Sequence, residues 1–285
     1  MGVTPNSKSY REIKPKKTDR VKIDLSKKDK RKYRLRESDE KLSHTTSKIN
    51  FGLHPLRSFQ ELSNGLRVIL VSNPKDDTAE SDLVEKENSN YDMASAAVCV
   101  RVGSFNDPDC APGLSNLLSR MLLLSNEASN DFQVHVSAYA GQCGSYTTNE
   151  YTCYYFHVEA NQFHQCLERF ISHLCEPTLC ANRIEEQAKK IDDEFSQIKQ
   201  RDYAILRQFV SNLAKEKSPF NRFHKGNQSS LRGQMNRQPS ELRDMLLDHF
   251  KNNYSAHLIT LAVQSSAALD EMELLVKQLV SSLPR

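Results

Sequence analysis

Three polar residues at helical spacing, Asn116, Ser119 and Arg120, are the part of this sequence best placed to do chemistry. Arg120 is a permanent cation with no lone pair to offer, and a serine hydroxyl is not an unaided general base at neutral pH. Ser119 also lacks the G-x-S-x-G nucleophile elbow that a hydrolytic triad on such a turn requires. The simplest interpretation is therefore a polar helix face or a structural polar network.

Other chemistries have little support in the sequence. His164 and His173 lie nine residues apart, and the remaining histidines are scattered without the spacing of metal ligands. No P-loop or G-x-G-x-x-G is present, so nucleotide binding is not expected. The seven cysteines contain no C-x-x-C pair, which favours free thiols in a reducing compartment over a disulfide or zinc framework.

Charge divides the chain into two parts. Residues 1–50 carry 16 Lys and Arg against 7 Asp and Glu, whereas residues 51–285 carry 23 against 29. We predict that residues 1–57 form a disordered basic tail, whose run at 27–36 either directs nuclear import or is simply solvated. Only Tyr33 could stack on a base within this run, so nucleic-acid binding is not favoured. No secretory signal or run of eighteen apolar residues occurs, so we expect a cytoplasmic chain, or a nuclear one, without membrane contact.

The apolar pattern after residue 58 predicts an α+β domain. Ser63-Asn64-Gly65 and Asn149-Glu150 are the predicted hairpin turns, and residues 75–92 a solvated acidic loop. The other elements are strands at 93–102, expected to be buried on both faces, and at 257–263, with helices at 114–124, 163–174, 184–198, 203–215, 239–252 and 269–280. Strands at both ends with helices between them indicate a two-layer domain, with a mixed or antiparallel sheet covered on one face.

Several ordered motifs within residues 58–285 resemble the inverted-zincin metallopeptidases typified by insulysin, pitrilysin and nardilysin. They are Ser63-Asn64-Gly65-Leu66-Arg67-Val68, Val102-Gly103-Ser104-Phe105-Asn106-Asp107-Pro108, Pro112-Gly113-Leu114, the segment 141–158, and Ser218-Pro219-Phe220-Asn221-Arg222-Phe223 with Gly226-Asn227. The resemblance implies the LuxS/MPP-like metallopeptidase fold and only the first of the four homologous domains of such an enzyme. Tyr254-Ser255 and the acidic insertion are most similar to nardilysin.

The catalytic motif of that family, H-x-x-E-H on one helix, is degenerate here. The resemblance places Asn116 and Arg120 at the two zinc-binding histidines, Ser119 at the glutamate that acts as general base, and Glu194 at the distal zinc ligand. One carboxylate beside a guanidinium will not hold zinc in water, so we predict no catalytic residues, no metal and no cofactor. We further predict that Arg120 and Glu194 form an ion pair in the position of the metal.

The resemblance also marks positions for substrate. Gly144, Ser145 and Tyr146 correspond to the edge strand on which the family lays an extended peptide, with Gly144-Ser145 replacing an Asn-Ala pair. Gln187 replaces a glutamate seven residues before the distal ligand. The chain stops at Pro284-Arg285, where the family's first domain ends, so we expect no closed chamber.

Three hypotheses follow. The first is a catalytically inactive, nardilysin-like pseudoprotease domain that binds extended peptides or a homologous peptidase chain bearing the intact motif. The alternative is a zinc metalloendopeptidase that cleaves at basic residues, which requires zinc to bind despite Asn116 and Arg120. The third is a truncated copy without a selected function.

Overall fold

The computed structural model of the protein describes residues 46–49, 56–73, 92–233 and 236–280. The basic run at 27–36 lies outside the described residues, and so does the predicted acidic loop up to residue 91. No helix within the described segments is long and apolar enough to cross a membrane.

One sheet of seven strands runs through the described residues. In chain order the strands are β1 (Thr46–Ile49), β2 (Leu56–Glu61), β3 (Arg67–Ser72), β4 (Met93–Val100), β5 (Gln142–Thr147), β6 (Thr152–Glu159) and β7 (Ile259–Ser265). Their order in the sheet is β1-β2-β3-β7-β4-β6-β5. Neighbours are antiparallel except β3 and β7, which are parallel. The sheet is therefore mixed, and β5 lies at one edge.

Eight α-helices accompany this sheet in the described residues. They are α1 (Leu114–Met121), α2 (Phe132–Ser137), α3 (Phe163–Cys175), α4 (Ala181–Ile198), α5 (Asp202–Asn212), α6 (Gln228–Arg232), α7 (Pro239–Asn253) and α8 (Leu269–Val280). The apolar faces of α1, α3 and α8 pack over one face of the sheet and bury its alternate side chains. This arrangement confirms the predicted α+β class with helices covering one face.

The prediction that β4 is buried on both faces was wrong. Its side chains alternate, with Ala94, Ala96, Val98 and Val100 buried and the intervening residues only partly covered or exposed. Small side chains such as Ala97 read as apolar in the sequence, although the helices cover only the other face.

Both predicted hairpin turns are present. Gly65 has a φ of +84°, the left-handed conformation that Asn-Gly turns require, and the Leu62 amide donates to the Leu66 carbonyl at 2.9 Å. In the second turn the Thr148 amide donates to the Tyr151 carbonyl at 2.8 Å. This second hairpin joins β5 to β6, and it therefore sets the register of the sheet edge.

The sheet begins earlier than the boundary at residue 58 predicted. Thr46–Ile49 pairs antiparallel with Leu56–Glu61, so that part of the predicted tail is strand. The short helices α2 and α6 were not predicted either. Each of these segments is too short to show a period, and their structure depends on a neighbouring element.

A close backbone contact sets the start of α1. Gly113 has a φ of +97°, and a Cβ atom placed there would lie 2.5 Å from the Gly226 Cα. Gly226 has a φ of +73° and faces Gly113 in the same way. Only glycine fits both positions, and the contact brings the segment at Lys225 against the first turn of α1.

Candidate functional site

The helix α1 presents two of the predicted polar residues outward and buries the third. Asn116 and Arg120 are partly exposed, whereas Ser119 is buried together with Ser115. The buried hydroxyls are satisfied by the backbone, because Ser119 Oγ donates to the Asn116 carbonyl at 2.8 Å and Ser115 Oγ donates to the Gly103 carbonyl at 3.1 Å. The predicted polar stripe is therefore only partly a solvent face.

A buried carboxylate holds the amino end of α1. Asp107 accepts hydrogen bonds from the Gly113 and Ser115 amides, both at 2.7 Å. Burial raises the pKa of Asp107, and these hydrogen bonds oppose that shift. Arg222 donates to the carbonyls of Phe105 at 3.1 Å and Asp107 at 2.9 Å, which fastens the preceding loop. The orientation of α1 is therefore set by groups outside the helix.

A buried histidine lies against the inner side of α1. His249 Nε2 is 3.0 Å from Ser115 Oγ, and the Asn253 side-chain amide is 3.3 Å from His249 Nδ1. Because Ser115 donates to Gly103, this network fits a neutral imidazole with its proton on Nε2. Burial lowers the pKa of His249 to about 4. The residue acts as a hydrogen-bonding link between α1 and α7.

The predicted ion pair between Arg120 and Glu194 is present. Arg120 Nη1 donates to Glu194 Oε1 at 2.9 Å and Nη2 donates to Oε2 at 2.8 Å, so the contact is bidentate. The two side chains are 23% and 44% exposed. The guanidinium uses both oxygens of Glu194, and it joins α1 to α4 across 74 residues of chain.

These residues do not fit a zinc ion. Asn116 donates its side-chain amide to the Lys225 carbonyl at 3.1 Å, Ser119 is bonded to the backbone, and Arg120 brings a positive charge to the site. Glu194 is the one anionic donor of the four, and its oxygens face Arg120. Across the described residues, no three or more His, Cys, Asp or Glu side chains come together in a way that could hold a metal.

The predicted substrate residues lie on β5, on both sides of the strand. Ser145 Oγ donates to the Ser119 carbonyl at 3.0 Å. This hydrogen bond joins the strand to α1, the motif helix, which carries positions 116, 119 and 120. Tyr146 points to the other face, where it is 47% exposed and its ring contacts Tyr151 and Tyr155. Gly144 shares that face, because a Cβ there would meet the Tyr155 hydroxyl at 2.7 Å. Ser145 is thus the member of this set that contacts the motif helix.

A groove beside this strand was not predicted. It has a volume of about 520 Å³ and lies between the end of β5, the end of α4 and the helix α5. Its apolar wall includes Phe195, Tyr203 and Phe209, and Phe195 directly follows the ion-paired glutamate in the chain. The groove thus joins the candidate site to α5.

The apolar residues of α5 are the feature of the sequence that could have indicated this groove. Its large apolar side chains are exposed by 45% to 62%, and Ser211 is the one residue of α5 that is buried. The exposed members are Tyr203, Ile205, Leu206, Phe209 and Val210. A helix whose apolar residues do not form one narrow stripe has more apolar surface than its own domain covers.

The ion pair should be measurable by a double-mutant cycle. Arg120→Ala and Glu194→Ala should each lower the free energy of unfolding by about 1 kcal/mol, and the double variant should cost little more than one of them. The expected coupling is about 0.5 to 1 kcal/mol, because both side chains are partly exposed. Urea unfolding measures it, and additive losses would show that the two residues act separately.

The buried histidine should make stability depend on pH. Its folded pKa of about 4 lies below the value near 6.5 in the unfolded chain, so its contribution is complete above pH 6.5 and is lost as the pH falls toward 4. In His249→Gln, the decline of the unfolding free energy across this window should be shallower by up to about 1.4 kcal/mol per pH unit. The exposed His164→Gln is the control. Equal slopes in both variants would contradict the assignment.

The sequence of this chain is similar to that of known proteins. The family model for insulinase (peptidase family M16) matches residues 83–224. A nardilysin-like protein of Arabidopsis thaliana is 33% identical over 65% of this chain and 18% of its own, and insulin-degrading enzyme of Mus musculus is 30% identical over 78% and 20%.

The fold is also similar to that of a solved structure. The crystal structure of pitrilysin matches with a TM-score of 0.71 at 21% identity, over 84% of this chain and 25% of that one. The chain spans about a fifth of the length of the curated relatives that it matches. This chain therefore contains an insulinase (peptidase family M16) domain, homologous to nardilysin and insulin-degrading enzyme.

Proposed function

We propose that this domain is a noncatalytic member of the insulinase family that binds extended peptides. The observation that carries the proposal is the bidentate contact of Arg120 with Glu194 at the motif positions. Zinc binding there would require removing a guanidinium from its carboxylate and supplying two further ligands. Neither Asn116 nor Ser119 offers a suitable donor, because both are engaged with the backbone.

The edge strand supports peptide binding. Within the described residues no strand pairs with the outer side of β5. The Thr148 amide points toward β6, because it bonds to the Tyr151 carbonyl. Backbone direction alternates along a strand, so the amide of Ser145 points away from β6. An added peptide strand would use these outward amides and carbonyls.

The groove supports a preference among peptides. Lys199, Arg207 and Lys225 contribute positive charge to its lining, and none of its lining residues is acidic. Phe195 and Phe209 supply the apolar surface. Peptides that carry apolar and acidic side chains therefore suit the groove better than basic peptides.

The competing function is that of a zinc endopeptidase cleaving at basic residues, which the resemblance to nardilysin implies. A homologous peptidase chain with an intact motif is a second kind of partner for the noncatalytic domain. A zinc measurement separates the enzyme from the binder, because only the enzyme needs a metal at this site.

The full chain should contain no stoichiometric zinc by elemental analysis. The matched control is the triple variant Asn116→His, Ser119→Glu, Arg120→His, which restores the motif and should hold about one zinc per molecule on this scaffold. Stoichiometric zinc in the natural chain that a chelator removes would contradict the proposal and favour the peptidase.

Peptide binding at the edge should be sensitive to one backbone amide. Ser145→Pro removes an outward N–H without removing a bond to β6, and prolines are tolerated on such edges. Ser145→Ala removes only the hydroxyl that bonds to Ser119.

The probe is fluorescein-labelled, carboxymethylated insulin B chain, followed by fluorescence anisotropy. Affinity should fall at least tenfold in Ser145→Pro and stay within about twofold in Ser145→Ala. Unfolding curves verify that both variants are folded. Equal binding by the natural chain and a folded Ser145→Pro variant would exclude the edge as the docking site.

A further inference from the structure

Two cysteines lie side by side on neighbouring strands, on the face of the sheet that the helices do not cover. Cys99 of β4 and Cys153 of β6 are directly opposite in the register of these antiparallel strands. Their chain neighbours Val98 and Tyr154 point into the core, whereas both cysteines are only partly covered. The two thiols therefore lie side by side within reach of small reagents.

The backbone pattern shows which kind of pair they form. The Arg101 amide donates to the Leu258 carbonyl, on the side of β7, so Cys99 two residues earlier also directs its amide toward β7. Tyr151 bonds to Thr148 on the side of β5, so Cys153 two residues later directs its own groups toward β5.

Cys99 and Cys153 are consequently a non-hydrogen-bonded pair. In such pairs the Cα atoms lie about 4.5 Å apart, closer than in hydrogen-bonded pairs. A disulfide spans Cα distances of about 4.4 to 6.8 Å. The strands therefore already hold the two residues within the range of a disulfide, without a change of register.

The surroundings of Cys99 and Cys153 shift the pKa of both thiols. Burial raises the pKa of both thiols, so they are protonated at neutral pH. At Cys99 the neighbouring Cys153 adds to this rise in pKa, and the positive charges of Arg67 and Arg101 oppose it. At Cys153 a hydrogen bond from the Tyr146 hydroxyl opposes the rise. Groups that favour a thiolate therefore lie beside each of the two sulfurs.

The other cysteines lack this geometry. Cys143 is opposite Phe156 and packs against the core on the helix-covered face. Cys166 is buried in α3, and Cys110 is exposed in a loop. In the described strands, Cys99 and Cys153 are the one register pair made of two cysteines.

We propose that Cys99 and Cys153 are an oxidisable dithiol that hydroperoxides convert into a cross-strand disulfide. One of the two cysteines, as its thiolate, attacks a peroxide oxygen, which gives a sulfenic acid and, after protonation, water. The sulfur of the other cysteine then attacks the sulfenic sulfur, forms the S–S bond and releases a second water. Two thiols lose two electrons in total, and hydrogen peroxide takes them up. The inference does not depend on peptide binding.

The disulfide would join the two ends of the chain segment that contains α1. The chain between Cys99 and Cys153 includes α1, α2 and β5, so the bridge closes a loop around the candidate site. A bridge across a long loop restricts the unfolded chain and raises resistance to urea. Oxidation should therefore stabilise this part of the domain without moving its strands.

The test uses the full chain and hydrogen peroxide, with N-ethylmaleimide to block the remaining thiols. Tryptic mass spectrometry should detect the peptide of Cys99 joined to the peptide of Cys153, and its rate of formation should rise from pH 7.5 to 8.5 as the thiolate fraction grows. Because the tryptic peptide of Cys153 also contains Cys143 and Cys166, Cys143→Ser and Cys166→Ser are the matched controls and should keep the link.

Cys99→Ser and Cys153→Ser should each abolish the link. Peroxide should raise the urea midpoint of the natural chain and of the two control variants, and should leave it unchanged in Cys99→Ser and Cys153→Ser. Two results would overturn the proposal. One is full labelling of Cys99 and Cys153 by N-ethylmaleimide after peroxide treatment. The other is a link to Cys99 that persists in Cys153→Ser.

Discussion

The placement of α1 is the constraint on which the rest of this domain depends. The Asp107 carboxylate accepts hydrogen bonds from two backbone amides at the start of the helix. The contact between Gly113 and Gly226 leaves no room for a side chain at either position. From this origin the buried side of α1 covers the sheet, while Asn116 and Arg120 reach outward. Because the helix start is fixed, a change of side chain at the motif positions alters chemistry without altering the scaffold.

The ion pair of Arg120 and Glu194 lies at positions that the family resemblance assigns to the zinc motif. Both a zinc ion and a guanidinium place positive charge beside the same carboxylate, so either can join α1 to α4. The difference lies in what remains available. A zinc site keeps an open position for water, whereas the bidentate guanidinium directs its donors at the carboxylate and presents no nucleophile.

The apolar surface of α5 and the open edge of β5 lie beside this ion pair, and the proposed peptide binding depends on these two surfaces. Both features are unusual for a domain that functions alone, because exposed aromatic rings and unpaired strand edges normally favour association. The matched part of this chain covers about a fifth of the length of the relatives.

Periodicity in the sequence determined the order of the long elements, both hairpin turns and the α+β class, because these depend on residues close together in the chain. The sequence by itself also shows that positions 116, 119 and 120 carry Asn, Ser and Arg and not the His and Glu residues of the H-x-x-E-H motif. The tertiary structure alone decided that β1 joins the sheet, that α5 leaves its apolar side chains exposed and that Cys99 is opposite Cys153. Such features depend on which distant segments meet, and a local pattern carries no information about the partner that covers it.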